Sequence, residues 1–482
     1  MNRRMIIYIL GIILLSEAGL MLFPVLVDLI YAEGKFMSYL IPILSLVISG
    51  IIMTRLKPQN KTIYARDGFM IVSLGWILIS FFGALPFFLS GEIPNFLNAL
   101  FESVSGFTTT GSSILTDVEA LCHANLFWRS FTHWIGGMGV LVFLMAVIPL
   151  SGGGGDLYLM RAESTGPDVG KLVPKSISSA RILYGIYLLL TLIEVIMLLI
   201  GGLSFFESLT LSFGTAGTGG FGIKNDSIGS YSTYVQGVIT VFMALFGVNF
   251  SLYFLILCGK VKDVLKNEEL RTYFLIMLSA IFVIALDIRQ YFGSAFQSIH
   301  QAAFQVSSLM TSTGFSTIDY DQWPDLSKAI MVLVMCIGAC AGSTGGGLKV
   351  ARVLLLIKNA KRELKKLLHP RSVNILKIDG KRVKDEVIQS TSAYFYLYIF
   401  IIAVSVLVVS FDNVDLMSNF TGVLATLNNI GPGLGVVGPS GNFASYSWFS
   451  KCIFIIDMFF GRLEIFPFIL LFSKKPKAKK HI

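Results

Sequence analysis

Charged residues are scarce in this sequence, making up 14% of its 482 residues, whereas hydrophobic residues make up 54%. A soluble protein of ordinary composition carries about 25% charged residues. Runs of roughly 20 apolar residues, long enough to cross a hydrocarbon core of ~30 Å, recur along the chain. The composition therefore excludes a soluble globular protein and predicts one that crosses a membrane many times.

Cysteine and histidine are also scarce, with five of each. Cys122 is the only cysteine expected on the outer side of the membrane, so no disulfide is expected. Cys336 and Cys340 have helical spacing but no histidine or carboxylate nearby, which argues against a metal site. Because no nucleophile–base pair emerges either, the sequence does not indicate an enzyme.

The apolar runs predict ten membrane spans, at about residues 5–31, 37–54, 68–90, 127–150, 179–203, 232–258, 272–292, 327–357, 391–411 and 447–472. Ten spans place both termini on one side, and the segments on that side hold most of the 38 Lys and Arg residues. Such a bias marks the cytoplasmic side, so we expect a multi-pass protein of the cell (inner) membrane with both termini in the cytoplasm. The concentration of Lys and Arg in cytoplasmic segments of a membrane protein explains the net charge of +9. No nucleic-acid partner is needed to explain it. The basic stretch at 358–388 fits either anionic lipid headgroups or a cytosolic partner.

Four half-length apolar stretches, at about 95–107, 205–216, 297–311 and 416–428, are too short to cross the membrane. Each leads into a polar, glycine-containing segment: Phe107-Thr-Thr-Thr-Gly111, Thr215-Ala-Gly-Thr-Gly-Gly220, Met310-Thr-Ser-Thr-Gly314 and Leu427-Asn-Asn-Ile-Gly431. Non-helical backbone at membrane depth survives only where it is buried or lines a watery path. We therefore predict four re-entrant helix–loop units that meet around one axis.

The predicted fold is an all-α polytopic membrane protein in which four parallel helix–pore loop–helix repeats surround one ion pore in a pseudo-fourfold arrangement. The motif Phe101-Glu-Ser103 recurs as Phe206-Glu-Ser208, which supports an internal repeat. The predicted organisation is two N-terminal helices at 1–62, followed by repeats at 63–165, 166–262, 263–372 and 373–482.

The four loops are the candidate potassium-binding site, because a ring of backbone carbonyls can replace the water shell of a dehydrated potassium ion. Repeat two offers both Gly219 and Gly220, and we choose Gly220 because a phenylalanine follows it, as after Gly314. None of the loops reads Thr-Val-Gly-Tyr-Gly, so we expect a shorter and less discriminating filter. The predicted filter residues are Thr109, Thr110, Gly111, Thr218, Gly219, Gly220, Ser312, Thr313, Gly314, Asn429, Ile430 and Gly431.

A glycine-rich segment at 338–347 interrupts the eighth predicted span. It is not a phosphate-binding P-loop, because Leu348-Lys349-Val350 follows where that motif requires Gly-Lys-Ser/Thr. Its backbone and hydroxyl groups need protein or water partners at membrane depth. We therefore interpret it as a flexible loop that projects into the pore below the filter and gates it. The alternative is a kink that allows close helix packing. The candidate gating residues are Gly338, Gly342, Ser343, Thr344, Gly345, Gly346 and Gly347.

Arg462 lies in the middle of the last predicted span. A charge at the bilayer centre costs ~2.5 kcal/mol or more, so it should face a watery cavity or a partner. We expect it to form an electrostatic barrier in the ion path, and the alternative is a structural ion pair with Glu464 or Asp457.

The chain resembles the Trk/Ktr/HKT superfamily of potassium transporters. The resemblance rests on the four loops and on Trp134-Ile-Gly-Gly-Met-Gly139, Ala341-Gly-Ser-Thr-Gly-Gly-Gly-Leu-Lys349 and Gly461-Arg-Leu-Glu-Ile-Phe-Pro467. The two extra N-terminal helices are similar to those of bacterial Trk membrane subunits of the TrkH type.

The resemblance implies potassium uptake by a homodimer with one pore in each subunit, controlled by a cytosolic nucleotide-binding ring of the TrkA type. It implies no cofactor in this chain, since potassium is the transported ligand and the nucleotide belongs to the partner. It also assigns residues 338–347 to the intramembrane gate and Arg462 to the position below the filter. Thr218 departs from the family pattern, which has an apolar residue before the double glycine.

Two rival functions are a sodium-coupled or sodium-conducting transporter and a proton-coupled solute symporter. A serine in place of the first-repeat glycine would indicate sodium, so Gly111 favours potassium. A symporter would require inverted repeats and a substrate site at the membrane midplane.

Overall fold

The computed structural model describes residues 2–60, 64–139, 177–371, 374–465 and 468. Six helices in these ranges are long and apolar enough to cross a membrane, or seven if one bent pair is counted as a single span. The predicted spans 127–150, 327–357 and 447–472 begin with shorter helices, and parts of the first and last lie outside the described residues, as does the predicted repeat boundary at 165/166.

The N-terminal pair of spans packs with its backbones close together. Helices α1 (Arg3–Leu20) and α2 (Leu22–Tyr31) form the first span and α3 (Phe36–Arg55) the second. A Cβ atom added at Gly11 would lie 2.8 Å from Met53 Cβ, and one at Gly50 would lie 2.7 Å from Leu15 Cγ. Small residues allow this approach between membrane helices.

Four helical units follow, each with a long helix, a short helix and a return helix. The first contains α4 (Ala65–Leu89), α5 (Phe96–Phe107) and α6 (His123–Gly137). The second contains α7 (Ile177–Ile200), α8 (Phe205–Gly217), α9 (Thr233–Phe246), α10 (Phe250–Leu257) and the connecting α11 (Val261–Lys266). The third contains α12 (Glu268–Asp287), α13 (Ala295–Met310), α14 (Asp325–Ile337) and α15 (Val350–Leu368), and the fourth α16 (Asp385–Val409), α17 (Leu416–Leu427) and α18 (Trp448–Leu463).

The four short helices, α5, α8, α13 and α17, match the half-length apolar stretches of the sequence. Each begins at a polar residue whose side chain accepts a hydrogen bond from a backbone N–H of the first turn: Asn95, Ser204, Ser294 and Asp415. Such caps satisfy donors that the helix itself leaves unpaired. The caps therefore fix where each short helix starts.

Two of the predicted spans, 232–258 and 447–472, contain a break that the sequence analysis did not predict. The span at 232–258 is two helices, α9 and α10, that meet at an angle of 89°. The last helix, α18, ends at Leu463, where Glu464 has a φ of 61°, a conformation that a continuing α-helix does not tolerate. Arg462 therefore lies in the final turn of α18, directly before this break.

The Phe-Glu-Ser motif does not mark equivalent positions, so its use as support for the repeat was wrong. Glu207 forms a capping box with Ser204 at the start of α8. Glu102 lies inside α5, fully buried, and forms an ion pair with Arg129. The two glutamates precede Gly220 and Gly111 by thirteen and nine residues, which displaces the motif by about one helical turn.

The basic segment after the third unit contains the end of a helix and a hairpin. Helix α15 continues to Leu368, and a two-stranded antiparallel hairpin, β1 (Lys377–Ile378) and β2 (Lys381–Arg382), turns at Asp379-Gly380. The hairpin makes the all-α description slightly incomplete. Lys358 of α15 forms an ion pair with Glu268 at the start of α12, so this helix is tied to the base of the third unit. Short 3₁₀ turns at Arg289–Tyr291, Tyr320–Gln322, Ser410–Asp412 and Gly435–Val437 complete the described elements.

Candidate functional site

The four short helices end in the same way. In α5 the N–H of Thr109 donates to Gly106 O (3.1 Å) and the N–H of Thr110 to Ser105 O (2.8 Å). The same pair of bonds, to the carbonyls three and five residues back, ends α8, α13 and α17. This is the Schellman arrangement, which places one residue in the left-handed region. That residue is Thr109 (φ 56°), Thr218 (54°), Ser312 (57°) or Asn429 (52°).

Two residues after each of these positions there is a glycine with positive φ: Gly111 (79°), Gly220 (74°), Gly314 (85°) and Gly431 (99°). We call residues 109–111, 218–220, 312–314 and 429–431 the glycine triplets. All four have the same order of backbone conformations, and they contain the twelve filter residues chosen from the sequence.

The glycine triplets meet in cyclic order. A Cβ atom at Gly111 would overlap the carbonyl oxygen of Gly219, one at Gly220 that of Thr313, and one at Gly314 that of Ile430. A Cβ at Gly431 would lie 3.0 Å from the oxygen of Thr110, which returns to the first triplet. Each triplet therefore lies against the residue that precedes the last glycine of the next one. Only glycine fits both the positive φ and this approach.

The two glycines of the second triplet have different roles. Gly220 has the positive φ and the contact with the third triplet, so it corresponds to Gly111, Gly314 and Gly431. A Cβ at Gly219 would instead overlap the imidazole ring of His133. A glycine is thus required at position 219 because the backbone there packs against the ring of His133.

Residues 338–347, the Gly-rich break, form a compact loop between α14 and α15. A Cβ at Gly338 would lie 3.1 Å from Gly347 Cα, and Val350 N–H donates to Ala339 O (3.1 Å), so the two ends of the loop lie together. The loop contacts the third and fourth triplets from one side. Gly346 N–H donates to Ser312 Oγ (2.5 Å), and a Cβ at Gly346 would overlap the carbonyl oxygen of Asn428.

The bend between α9 and α10 holds the same loop. Cys340 N–H donates to Gly247 O (3.0 Å), and Phe250 N–H donates to Gly342 O (3.1 Å). Thr344 Oγ donates to Phe246 O (3.2 Å). The broken second-unit helix and the Gly-rich break therefore satisfy one another's backbone groups, as non-helical backbone in a membrane requires.

Two cationic side chains bind carbonyls of the Gly-rich break. Arg462 donates to Thr344 O (3.0 Å), and Lys349, which is buried, donates to Gly345 O. Arg462 also donates to Thr109 Oγ (3.2 Å), to Gly137 O (2.8 Å) and to Gly136 O. It thereby joins the first triplet, the end of α6 and the Gly-rich break.

The two carboxylates named as alternative partners of Arg462, Glu464 and Asp457, have described contacts with other residues. Glu464 forms an ion pair with Arg352 of α15 (2.6 Å), and Asp457 accepts a hydrogen bond from Ser405 (2.9 Å). Arg352 also lies over the ring of Tyr394, 3.8 Å from its centre. The described hydrogen bonds of Arg462 go to carbonyl and hydroxyl oxygens.

Sequence reasoning missed Lys349 and the bend at residues 247–249 as parts of this site. A glycine and an asparagine at the bend were the available signal. Among the described residues, no group of three or more His, Cys, Asp or Glu side chains is placed to hold a metal ion. The four triplets instead bring backbone carbonyls together, since those of Thr110, Gly219, Thr313 and Ile430 each lie against the glycine of a neighbouring triplet.

Comparisons with known proteins agree on one family. The family TrkH, described as a cation transport protein, matches residues 41–481. The Trk system potassium uptake protein TrkH of Salmonella typhimurium is 37% identical over 98% of this chain and 99% of its own length. The Trk system potassium uptake protein TrkG of Escherichia coli is 34% identical over 98% of both chains. A crystal structure of the potassium transporter TrkH from Vibrio parahaemolyticus superimposes with a TM-score of 0.88, at 33% identity, covering 98% of this chain and 99% of that one.

Proposed function

This chain belongs to the TrkH family of cation transport proteins, and from that membership we propose that it takes up potassium across the cell membrane through a channel-like pore. It is a helical, multi-pass membrane protein, and its family is one of transporters and not of enzymes. Full-length relatives are named potassium uptake proteins, which supports potassium as the transported ion.

The observation that carries the proposal is the cyclic contact of the four glycine triplets. A pore axis with pseudo-fourfold repeats requires four segments of the same backbone conformation, each in contact with the next. We propose that the carbonyls of the triplets bind dehydrated potassium and form the selectivity filter. The predicted repeats at 63–165, 166–262, 263–372 and 373–482 each supply one triplet in this scheme.

We propose that the Gly-rich break closes this pore from the cytoplasmic side. The short helices enter from the outer ends of the long helices, so residues 109, 312 and 429 precede the filter glycines on its inner side. The break contacts that side through Ser312, Asn428 and Arg462. Backbone that blocks the path here must move before an ion can pass.

The connection between the break and α15 supports a proposal of control from the cytosol. This helix starts at the end of the break and leads into the basic segment at 358–388. We propose that a TrkA-like nucleotide-binding ring docks there and shifts the break through α15. The nucleotide is then a cofactor of the partner, and the membrane subunit works as a homodimer in the inner membrane with both termini in the cytoplasm.

Arg462 is proposed as an electrostatic barrier. Its guanidinium reaches Thr109 of the first triplet and Thr344 of the break, so it lies between the proposed filter and the proposed gate. A fixed positive charge in a region of reduced dielectric opposes an entering cation.

Cation flux into liposomes that contain the purified protein tests the function. We expect potassium and rubidium to enter faster than sodium and lithium, and protein-free liposomes provide the control. Equal or faster sodium entry would contradict the potassium assignment in favour of a sodium-conducting transporter. Uptake that requires an imposed proton gradient and an organic solute would identify a symporter instead.

A further inference from the structure

Helix α6 presents two polar side chains, Arg129 and His133, between the first and second units. They are four residues apart, so they lie on one face of the helix. On one side both contact α5, at Glu102 and Gly106. On the other side both contact the chain immediately after Gly220 of the second triplet.

His133 bridges the two units through both ring nitrogens. Its Nδ1 lies 2.8 Å from Gly106 O, and its Nε2 lies 3.3 Å from the backbone nitrogen of Phe221. A carbonyl can only accept and a backbone N–H can only donate, so the neutral ring with its proton on Nδ1 satisfies both partners. The ring also lies against Phe221, with centres 4.2 Å apart, and it is fully buried.

Arg129 forms a second connection one helical turn away. Its guanidinium pairs with Glu102 (2.7 Å), donates to Gly222 O (3.2 Å) and lies 3.9 Å from the centre of the Phe221 ring. Both charged side chains are almost completely buried, at 2% and 0% exposed. Glu102 also accepts from Ile114 N–H (3.1 Å), so the pair fixes the exit of the first triplet as well as that of the second.

The described bonds between the exits of the other triplets come from groups in the exit segments themselves, including the Tyr320 hydroxyl, which donates to Gly433 O (3.1 Å). Ile228 N–H donates to Ser316 O (2.9 Å), and Ser112 Oγ donates to Gly431 O (3.0 Å). The contact of His133 with Phe221 N–H differs, because it comes from a return helix and binds the residue next to a triplet glycine. A displacement there moves the carbonyl of Gly220 directly.

We propose that His133, supported by Arg129, is a positioning residue that sets the second triplet and so determines how well the pore distinguishes potassium from sodium. The inference rests on the proposed function, because it assigns a role within that filter. The required feature is an acceptor at the position of Nε2.

Two substitutions of His133 separate that feature from simple packing. His133→Gln retains an acceptor at the same distance from the backbone, whereas His133→Asn retains only a group at the position of Nδ1. Loss of one hydrogen bond of about 1 kcal/mol corresponds to a factor of about five. We expect His133→Asn to lower the potassium-to-sodium permeability ratio about fivefold, and His133→Gln to keep the parental ratio.

The measurement is relative cation permeability in liposomes per correctly inserted molecule, together with hydrogen exchange of the peptide that contains Phe221. His300→Ala is the matched control, because His300 also bonds between units, to Gln236 (2.9 Å), and lies twelve residues before the third triplet. Faster exchange and lower selectivity in His133→Asn alone support the proposal. Parental ratio and exchange in that variant, or equal losses in His133→Gln, overturn it.

If His133→Asn does not accumulate in the membrane, Arg129→Lys provides a second probe. It keeps a positive charge beside Glu102. A lowered potassium-to-sodium permeability ratio in this variant supports the proposal that Arg129 and His133 together position Phe221. An unchanged ratio overturns it. If the parent protein itself does not prefer potassium, the proposed function fails. The exchange of the Phe221 peptide then still decides whether His133 positions the second triplet.

Discussion

Ser312 connects the third glycine triplet to the Gly-rich break, and its replacement tests whether the break controls conduction. The Ser312 hydroxyl accepts from Gly346 N–H (2.5 Å) and donates to Thr311 O (2.7 Å). Both Ser312 and the Gly346 contact are buried. Ser312→Ala removes the acceptor and leaves a buried N–H without its partner, but only while the break stays in this position.

The size of the effect follows from that unpaired donor. A buried donor without a partner costs about 1–2 kcal/mol, which is a factor of about 5–30 in a two-state ratio. If the observed position of the break does not conduct, basal potassium flux should rise by about this factor. Stabilisation of the conducting position is not required, because destabilisation of the closed one is sufficient.

A pair of variants separates the contact from backbone strain. Ser312 has a φ of 57°, which glycine adopts without penalty. Ser312→Ala and Ser312→Gly should both raise basal flux, whereas Ser312→Gly should have the higher melting temperature of the two. The matched control is Ser298→Ala on α13, the helix that precedes Ser312, where the described hydrogen bond of the hydroxyl goes to Ser294 O (3.3 Å).

Flux should be measured in liposomes without any cytosolic partner and divided by the amount of correctly inserted protein. Parental flux in both Ser312 variants would refute the reasoning. The Gly346 contact would then be a packing contact with no influence on conduction.

Three further predictions test the remaining assignments. Gly111→Ser and Gly314→Ser should lower the potassium-to-sodium permeability ratio with insertion retained, because the new Cβ would overlap the carbonyl of the next triplet; parental ratios in both would contradict the filter. Deletion of residues 342–347 should raise basal flux and weaken any dependence on a cytosolic regulator, and a folded deletion variant that conducts no faster than the parent would leave the break as a packing kink. Arg462→Ala should raise potassium flux without changing the order of ions, because a fixed positive charge is removed; parental flux together with a collapsed detergent-solubilised yield would assign Arg462 a structural role.

The short helices and their glycines could be predicted because their signals are local. A half-length apolar stretch, a capping residue and a glycine all lie within about 20 residues of sequence. The stretch at 95–107 became Phe96–Phe107, and the stretch at 416–428 became Leu416–Leu427. The choice of Gly220 over Gly219 agrees with the observed φ of 74° at Gly220.

The bend between α9 and α10 could not be predicted, because its partners are distant in sequence. Gly247 O and Phe250 N–H bond to Cys340 and Gly342, about 90 residues further along the chain. A single glycine and asparagine within an apolar run are compatible with a continuous helix, so local propensity indicates one. Arg462 posed the same problem, since the oxygens that it contacts belong to residues 109, 136, 137 and 344.

The left-handed residues of three triplets carry side chains that make specific contacts. Glycine would be favoured at Thr109, Ser312 and Asn429 if each residue only had to end a helix, because a side chain at positive φ is strained. Each of these side chains instead makes a contact that glycine cannot make, with Arg462, with Gly346 and with Met458 O. Thr218 differs, since its hydroxyl bonds to the adjacent Gly217 O (2.6 Å), and the second triplet is the one supported by His133 from behind. The strain is therefore offset in three units by side-chain contacts, two with α18 and one with the Gly-rich break, while in the second unit His133 of α6 contacts the residue after the triplet.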